Sequence, residues 1–374
     1  MIARPVPRRA MLKTAGLAAL GAGFSACASR RAGSLVWPEA PRRLARVHVS
    51  EDRIIRTVVG LRPFRPSGFV VRVEKIGDKT VVHNYGHGGG GITLSWGTSE
   101  LAVDEAWKTG DKHFAVLGCG AVGLASARLL QQRGAEVTIY AKDLPPHTTS
   151  NIAGGQWSPT SVMDRSRRTA ESDALLARAS RLSHRAYQQL PAAEFGIRWL
   201  ENYILSDEPL QGWWEQDLVR DLYPESRELA PHEHPFPARY ARRFTTMLIE
   251  PPIYLSAMLR DVRLAGGRVV VRELASREEV HALPEPVVVN CTGLGARALF
   301  GDDELEPVKG QLTFLLPQPE VDYITIRGGL YMFPRRDGIL LGGTFDHGVW
   351  SLDVDEAVRQ RMVAGHRTFF EGMR

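Results

Sequence analysis

Cysteine is scarce: Cys27, Cys119 and Cys291 are the only three in 374 residues. The last two sit in apolar strand–turn sequences, so no disulfide framework is implied. Beyond the N-terminal segment no apolar run reaches about 18 residues, the minimum for a spanning helix. Charge of one sign is not in excess either: 47 Lys and Arg against 42 Asp and Glu leave +5. Arg4, Arg8, Arg9, Arg30, Arg31, Arg42 and Arg43 all precede residue 45, so the rest is closer to neutral. No nucleic-acid motif accompanies these arginines, and no nucleic-acid partner is read from them. Internal repeats and low-complexity tracts are missing too, which excludes solenoids. What is present, 44% hydrophobic and 24% charged residues, suits two interlocked domains with buried cores.

Residues 1–26 read as an export signal and stand outside the fold. PRRAMLK (Pro7 to Lys13) resembles the twin-arginine signal, and the short apolar stretch Ala15 to Ala26 follows it. FSAC, Phe24 to Cys27, resembles a lipobox, with Phe24 where Leu, Val or Ile is usual. A lipidated Cys27 would hold the protein at the membrane surface, since multiply acylated anchors bind stably. Cleavage at Ala26-Cys27-Ala28 is the competing reading and would release a soluble protein. Either way the expected location is periplasmic or cell-surface. Residues 27–49 read as a linker.

RIIRTVVGLRPFRP (Arg53 to Pro66) starts as a strand and ends in a proline turn. Two valine-rich runs in GFVVRVEKIGDKTVVHNYG flank Gly77-Asp78, a hairpin signal. HNYGHGGGGITLSWG (His83 to Gly97) then runs four glycines into a helix expected over Ile92 to Trp107. After Lys108 to Lys112 come the strand HFAVLG, the glycines Gly118, Gly120 and Gly123, a helix over Val122 to Arg133, and a strand over Glu136 to Tyr140. G-x-G-x-x-G between strand and helix permits a tight turn and brings backbone amides to a pyrophosphate at the helix N-terminus. A Pro-started helix, the strands GGRVVV and VVVNCTG, and a C-terminal helix over Val354 to Phe370 complete an α/β pattern.

These segments resemble the D-amino-acid oxidase family of FAD enzymes. The likeness is carried by FAVLGCGAVGL, TTSNIAGGQW, VVVNCTGLGARAL, KGQLTFL, YMFPRRDGILLGGTF, VGLRPFRP and HNYGHGGGGIT. The fold implied is a Rossmann-like FAD-binding domain interleaved with a mixed-sheet α+β substrate domain. FAD-binding segments fall at 83–165 and 246–300, substrate segments at 50–82, 166–245 and 301–374. The order is rotated relative to the family, where the arginine segment and HNYGHGG come last. A circular permutation follows, with Lys108 to Lys112 as the new joint. It requires Arg374 to lie within a short loop's reach of Val47 to Arg53.

The resemblance also implies roles. Gly118, Cys119, Gly120, Ala121 and Val122, with Gly123 closing the motif, form the pyrophosphate site, and Thr148, Thr149 and Ser150 supply phosphate-side hydroxyls. Ala153, Gly154, Gly155 and Gln156 lie against the flavin. The main chain of Leu274 meets the adenine. Asp143 and Lys142 have two readings, ribose and phosphate partners or solvated loop charge, because the family's acidic residue is expected one position before Asp143. Gly88, Gly89, Gly90 and Gly91 pass against the isoalloxazine. Ile92 and Thr93 open a helix whose N-terminus, with Thr93 as an added donor, faces flavin N1 and O2, favouring the anionic reduced flavin by about 0.3 to 2 kcal/mol.

His83 and His87 are expected to hold this loop by hydrogen bonds; a metal site is not expected, because no third ligand follows. Arg62 is expected to take the carboxylate of a D-amino acid bidentately and Tyr331 to hydrogen-bond it, with Arg65 in a structural ion pair. Arg327 stands where a second lid tyrosine is expected, and raises the expectation of an acidic substrate side chain. The implied reaction passes the Cα hydride to flavin N5; dioxygen reoxidises the flavin, giving hydrogen peroxide, and the imino acid hydrolyses to a 2-oxo acid and ammonia. Alternatives are a glycine or N-methyl amino acid (sarcosine-type) oxidase and a non-catalytic flavin-bearing lipoprotein.

Overall fold

Residues 43–374 are described by the computed structural model; the export signal, the lipobox at Cys27 and most of the 27–49 linker lie outside the described residues. In chain order the strands are β1 (Ile54–Phe64), β2 (Val70–Ile76), β3 (Lys79–Tyr85), β4 (His113–Leu117), β5 (Glu136–Ala141), β6 (Ile197–Ser206), β7 (Arg227–Leu229) and β8 (Tyr240–Ile249). They continue with β9 (Arg268–Val271), β10 (Val287–Asn290), β11 (Glu306–Leu315), β12 (Tyr323–Arg327), β13 (Leu330–Arg335), β14 (Gly338–Gly342) and β15 (Asp346–His347). Among the described residues they form a six-stranded sheet, β2-β3-β10-β4-β5-β9, and a nine-stranded sheet, β1-β11-β14-β13-β12-β6-β8-β7, in which β15 also pairs with β11.

The six-stranded sheet grows from the valine runs. β3, β10, β4, β5 and β9 are mutually parallel, and β2 closes one edge antiparallel to β3. β3 and β10 are buried along their whole length, as strands covered on both faces must be. Val82, Val116 and Val289 meet Leu124 and Ala125 of the helix Ala121–Gln132 and Leu255 of the helix Pro251–Leu264. Val81, Ala115 and Val288 face the other way, onto Val280, Leu283 and Leu299. The helix Gly91–Trp107 carries the chain from β3 across β10 to β4, with residues 108–112 as the connection.

The nine-stranded sheet is mixed: β1 pairs antiparallel with β11 along its length, whereas β12 runs parallel to β6. Two boundaries differ from those read in the sequence. β2 and β3 belong to the dinucleotide sheet, so the first substrate segment ends near Phe69 rather than at residue 82; parallel pairing of Thr80–His83 with Val287–Asn290 draws them there. The linker reading stops at Leu44, because Leu44, Val47 and Val49 are buried with Val363, Phe369, Phe370 and Met373. Polar contacts join the same two segments: the Arg46 guanidinium donates to the Met373 carbonyl. Arg367 Nε donates to Val49 O at 3.1 Å, and Arg359 pairs with Glu51 at 2.7 Å.

Candidate active site

The carboxyl ends of β3, β4, β5, β9 and β10 open onto one cleft of about 1170 Å³, the place where an open α/β sheet binds its ligand. At the end of β4, Gly118 adopts φ +99°, and a Cβ there would lie 2.5 Å from the Cys291 carbonyl. Gly118, Cys119, Gly120, Ala121 and Val122 line the cleft, but Gly123 does not. A Cβ on Gly123 would sit 2.1 Å from Gly118 O, so this third glycine lets the helix close on the strand turn rather than touch a ligand. Ser150 Oγ accepts from the Ala121 amide at 3.0 Å, which leaves its own proton free for a phosphate oxygen. Thr148 and Thr149 line the same wall, although the Thr148 hydroxyl donates to Asn151 Oδ1 at 2.8 Å.

Lys142, Asp143 and Leu274 also line the cleft. Lys142 pairs at 3.6 Å with Glu273, an acidic group across the crevice that the strand–helix pattern had not singled out. The cleft-lining loop Cys291–Gly295 was likewise read only as a turn after a strand. It is tied to β3: Asn290 Nδ2 donates to His83 Nδ1 at 3.0 Å, and Asn290 Oδ1 accepts from the Thr292 amide and hydroxyl.

The glycine loop lies where β3 ends. Gly88, Gly89, Gly91, Ile92 and Thr93 reach the cleft; Gly90 does not, since its Cα faces Val162, whose Cγ2 would be 2.8 Å from a Cβ. The helix Gly91–Trp107 begins on Gly90, which has no side chain to cap it, so its first amides stay available to a ligand. Thr93 differs from its expected part as a flavin donor. Its hydroxyl donates to Ser158 O at 2.9 Å and accepts from the Ser158 amide at 3.0 Å, so only its main chain is open.

His83 and His87 hold the loop. Because His83 Nδ1 accepts from Asn290, its Nε2–H donates to Glu74 at 2.8 Å. His87 Nε2 meets Thr98 Oγ1 at 2.9 Å and its ring stacks on Phe69. Burial holds His87 neutral, pushing its pKa down to about 3. Among the described residues no group of His, Cys, Asp or Glu could hold a metal ion.

Opposite the six-stranded sheet, β1 and β13 bring Arg62 and Tyr331 together. Arg62 Nη2 donates to the Tyr331 hydroxyl at 3.3 Å and Nη1 to Thr344 O at 3.2 Å, while the guanidinium lies 4.4 Å from the Phe345 ring centroid. Two glycines make room for these groups. A Cβ on Gly310 would lie 2.6 Å from the Arg62 guanidinium nitrogens, and one on Gly342 would lie 2.1 Å from the Tyr331 ring. Among the described residues Arg62 has no carboxylate partner, unlike Arg65, which is locked to Asp302 at 2.8 Å and Glu304 at 2.6 Å. Arg327 departs from its expected part: it pairs with Asp207 at 2.6 Å and is not on the cleft wall.

The loop Ala153–Gln156 crosses the cleft between the sheets. Gly155 has φ +93° and a Cβ there would strike Ile249 O at 2.1 Å. Its carbonyl accepts from Ile249 N at 2.7 Å, while the Gly154 and Gly155 amides have no partner among the described residues. Gln156 Nε2 donates to Asn202 Oδ1 at 2.6 Å.

A dinucleotide with a flat ring system fits this cradle: two helices start on glycine beside it, and unpartnered amides line its middle. A doubly wound sheet of this kind, closed over by an antiparallel-rich second sheet, defines a two-sheet flavin-dependent oxidoreductase. The sequence model of the FAD dependent oxidoreductase family (DAO) matches residues 27–105 and 113–373; the chain belongs to that family, and its cofactor is FAD. A D-amino acid oxidase of Dugesia ryukyuensis is 29% identical over 272 residues, 70% of this chain and 78% of that protein. A D-amino-acid oxidase of Rubrobacter xylanophilus is 31% identical over 255 residues, 66% of this chain and 74% of that protein. Among solved structures, the glycine oxidase of Bacillus cereus shares the fold, with a TM-score of 0.54 at 16% identity, covering 69% of this chain and 78% of that one.

Proposed function

We propose that this FAD-dependent enzyme oxidatively deaminates D-amino acids. The observation that carries the reading is Arg62, a guanidinium without a carboxylate partner among the described residues, held on Tyr331 in the wall of the FAD cleft. When bound, FAD supplies the two-electron acceptor for the Cα–H bond, and dioxygen takes those electrons to become hydrogen peroxide. Arg62 keeps Nε and one Nη2 N–H free for a substrate carboxylate, and its charge strengthens both bonds. Tyr331 accepts from Arg62 and so retains its own proton for the same carboxylate. The rings of Phe333, 5.0 Å from Tyr331, and Phe345, 4.4 Å from the Arg62 guanidinium, pack against the pair. Orientation of Cα is the chain's main contribution, and no side-chain base is required. The imino acid released hydrolyses to a 2-oxo acid and ammonia.

A glycine or N-methyl amino acid substrate is the second reading. It is favoured by the tight turn at Gly328–Gly329, with φ +54° and +87°, which joins β12 to β13 in only two residues beside Tyr331. Aerobic turnover with D-amino acids, their L-enantiomers, glycine and sarcosine distinguishes the two. One peroxide and one ammonia per D-amino acid, with none from the L-form, is the expected result; turnover of glycine or sarcosine alone overturns it.

The proposal includes a circular permutation and export. The shared core of residues 44–49 with the C-terminal helix supports the permutation. Export by the twin-arginine route with attachment through Cys27 rests on the sequence. Palmitate labelling of the wild type, abolished by Cys27→Ala, is the expected outcome, and an unlabelled wild type refutes the anchor.

A further inference from the structure

The cleft contains a carboxylate that the reaction above leaves unused. Glu215, in the short helix Trp214–Asp217, is only 8% exposed yet lines the cleft beside Trp213, Thr160 and Ser161. Its Oε1 accepts from the Ser161 amide at 3.3 Å. No arginine, lysine or histidine forms an ion pair with it among the described residues. Two arginines act on it only from beyond ion-pair distance, Arg168 and Arg165, and Arg168 is engaged elsewhere: Asp173 holds it at 3.0 and 2.7 Å and Trp214 lies beneath it at 4.1 Å. Burial holds the Glu215 carboxyl above the usual carboxylate range, against the pull of the two arginine charges, as expected for a buried acid without a direct ion-pair partner.

Contacts place Glu215 at the substrate end of the cleft. Ser161, in left-handed backbone at φ 59°, accepts through its carbonyl from the Gly89 amide at 2.9 Å. A Cβ on Gly88 would lie 2.4 Å from that carbonyl and 3.0 Å from Phe64 Cδ2, and Phe64 follows Arg62 on β1. The wall bearing Glu215 is therefore built onto the same turn as the strand that presents Arg62. A substrate anchored there by its carboxylate meets Arg62 at one end and a buried acid further along.

We propose that Glu215 recognises the substrate side chain, and that the preferred substrates are D-amino acids carrying a cationic side chain, D-arginine and D-lysine among them. The inference rests on the D-amino-acid reading above. A guanidinium or ammonium supplies the ion-pair partner that the buried carboxylate lacks and donates charge-assisted hydrogen bonds to it. A neutral side chain of equal length supplies neither.

The test compares D-arginine with D-citrulline, which has the same length but a neutral ureido end, on the wild-type holoenzyme. The ratio of kcat/KM is expected to favour D-arginine by roughly tenfold to a hundredfold, the range of a hydrogen bond to a charged group. In Glu215→Gln, checked for retained FAD absorbance, that ratio is expected to fall at least tenfold, mainly through KM for D-arginine. Equal turnover of the two by the wild type overturns the proposal, whether or not the variant folds. An unchanged ratio in a flavin-loaded Glu215→Gln removes the assignment to this residue. Turnover of neutral D-amino acids with no advantage for D-arginine defeats this inference alone, whereas failure to turn over any D-amino acid defeats the reading beneath it.

Discussion

In the proposed reaction Arg62 and Tyr331 both hold the carboxylate, and two substitutions isolate the share of Arg62. Arg62→Ala removes charge-assisted bonds, so KM is expected to rise about a hundredfold while FAD stays bound; steady-state kinetics beside flavin absorbance checks both. Gly310→Ala reaches the same end indirectly. The new methyl would stand 2.6 Å from the guanidinium, whose flexible end can swing away with little strain but leaves its post. A higher KM at unchanged Tm is the expected pattern, and a large loss of Tm would show the glycine serving the strand instead. Two buried histidines set the acid limit of the fold. His87, at about 3, and His366, at about 4, are held neutral by burial and protonate readily only when the chain unfolds. Their contribution is complete above about pH 6.5 and is lost as the pH falls toward 4, on the order of 2 kcal/mol each by pH 5. Denaturant titrations at pH 7 and pH 5 read the difference; equal stability at both would contradict it.

At the scale of elements, glycines decide how closely helices approach. Gly97 lets the helix Gly91–Trp107 meet the helix Ala170–Gln189: a Cβ there would lie 1.9 Å from Ala179 O, and its amide donates to Ser183 Oγ at 2.7 Å. Gly97→Ala is expected to cost about 1 to 3 kcal/mol of stability, read by chemical denaturation. Gly123→Ala should also weaken FAD, because it pries the helix from the turn that carries Gly118, and flavin titration measures that loss. Strand–turn–helix spacing made β4, its glycines and the following helix legible in the sequence. The helix entered from HNYGHGGGG was legible too, because glycines abutting an apolar period have few other uses. Spacing could not separate glycines that touch the ligand from Gly90 and Gly123, whose Cα atoms face protein. Nor could it show that the Thr93 hydroxyl is spent on Ser158, or that Asp207 holds Arg327. Glu215 gave no signal, since its segment mixes Trp, Pro and charge without period, and only folding brings it beside Ser161.

For the molecule as a whole, the placement of β3 is the central architectural fact. Its parallel pairing with β10 puts the glycine loop at the carboxyl edge of the dinucleotide sheet, although it precedes β4 in the chain. The packing of Leu44, Val47 and Val49 on the C-terminal helix predicts a permutant that folds. Joining residue 374 to residue 50 by a short loop and opening the chain between Thr109 and Gly110 should give a soluble protein that retains FAD; failure to bind flavin would contradict the proposed order. The catalytic account itself is tested most directly by anaerobic mixing of the FAD-loaded protein with the two enantiomers of one amino acid. It predicts that the D-enantiomer bleaches the yellow flavin absorbance, that air restores it, and that the L-enantiomer leaves it unchanged. Bleaching by the L-enantiomer, or by neither across a panel of amino acids, would contradict it.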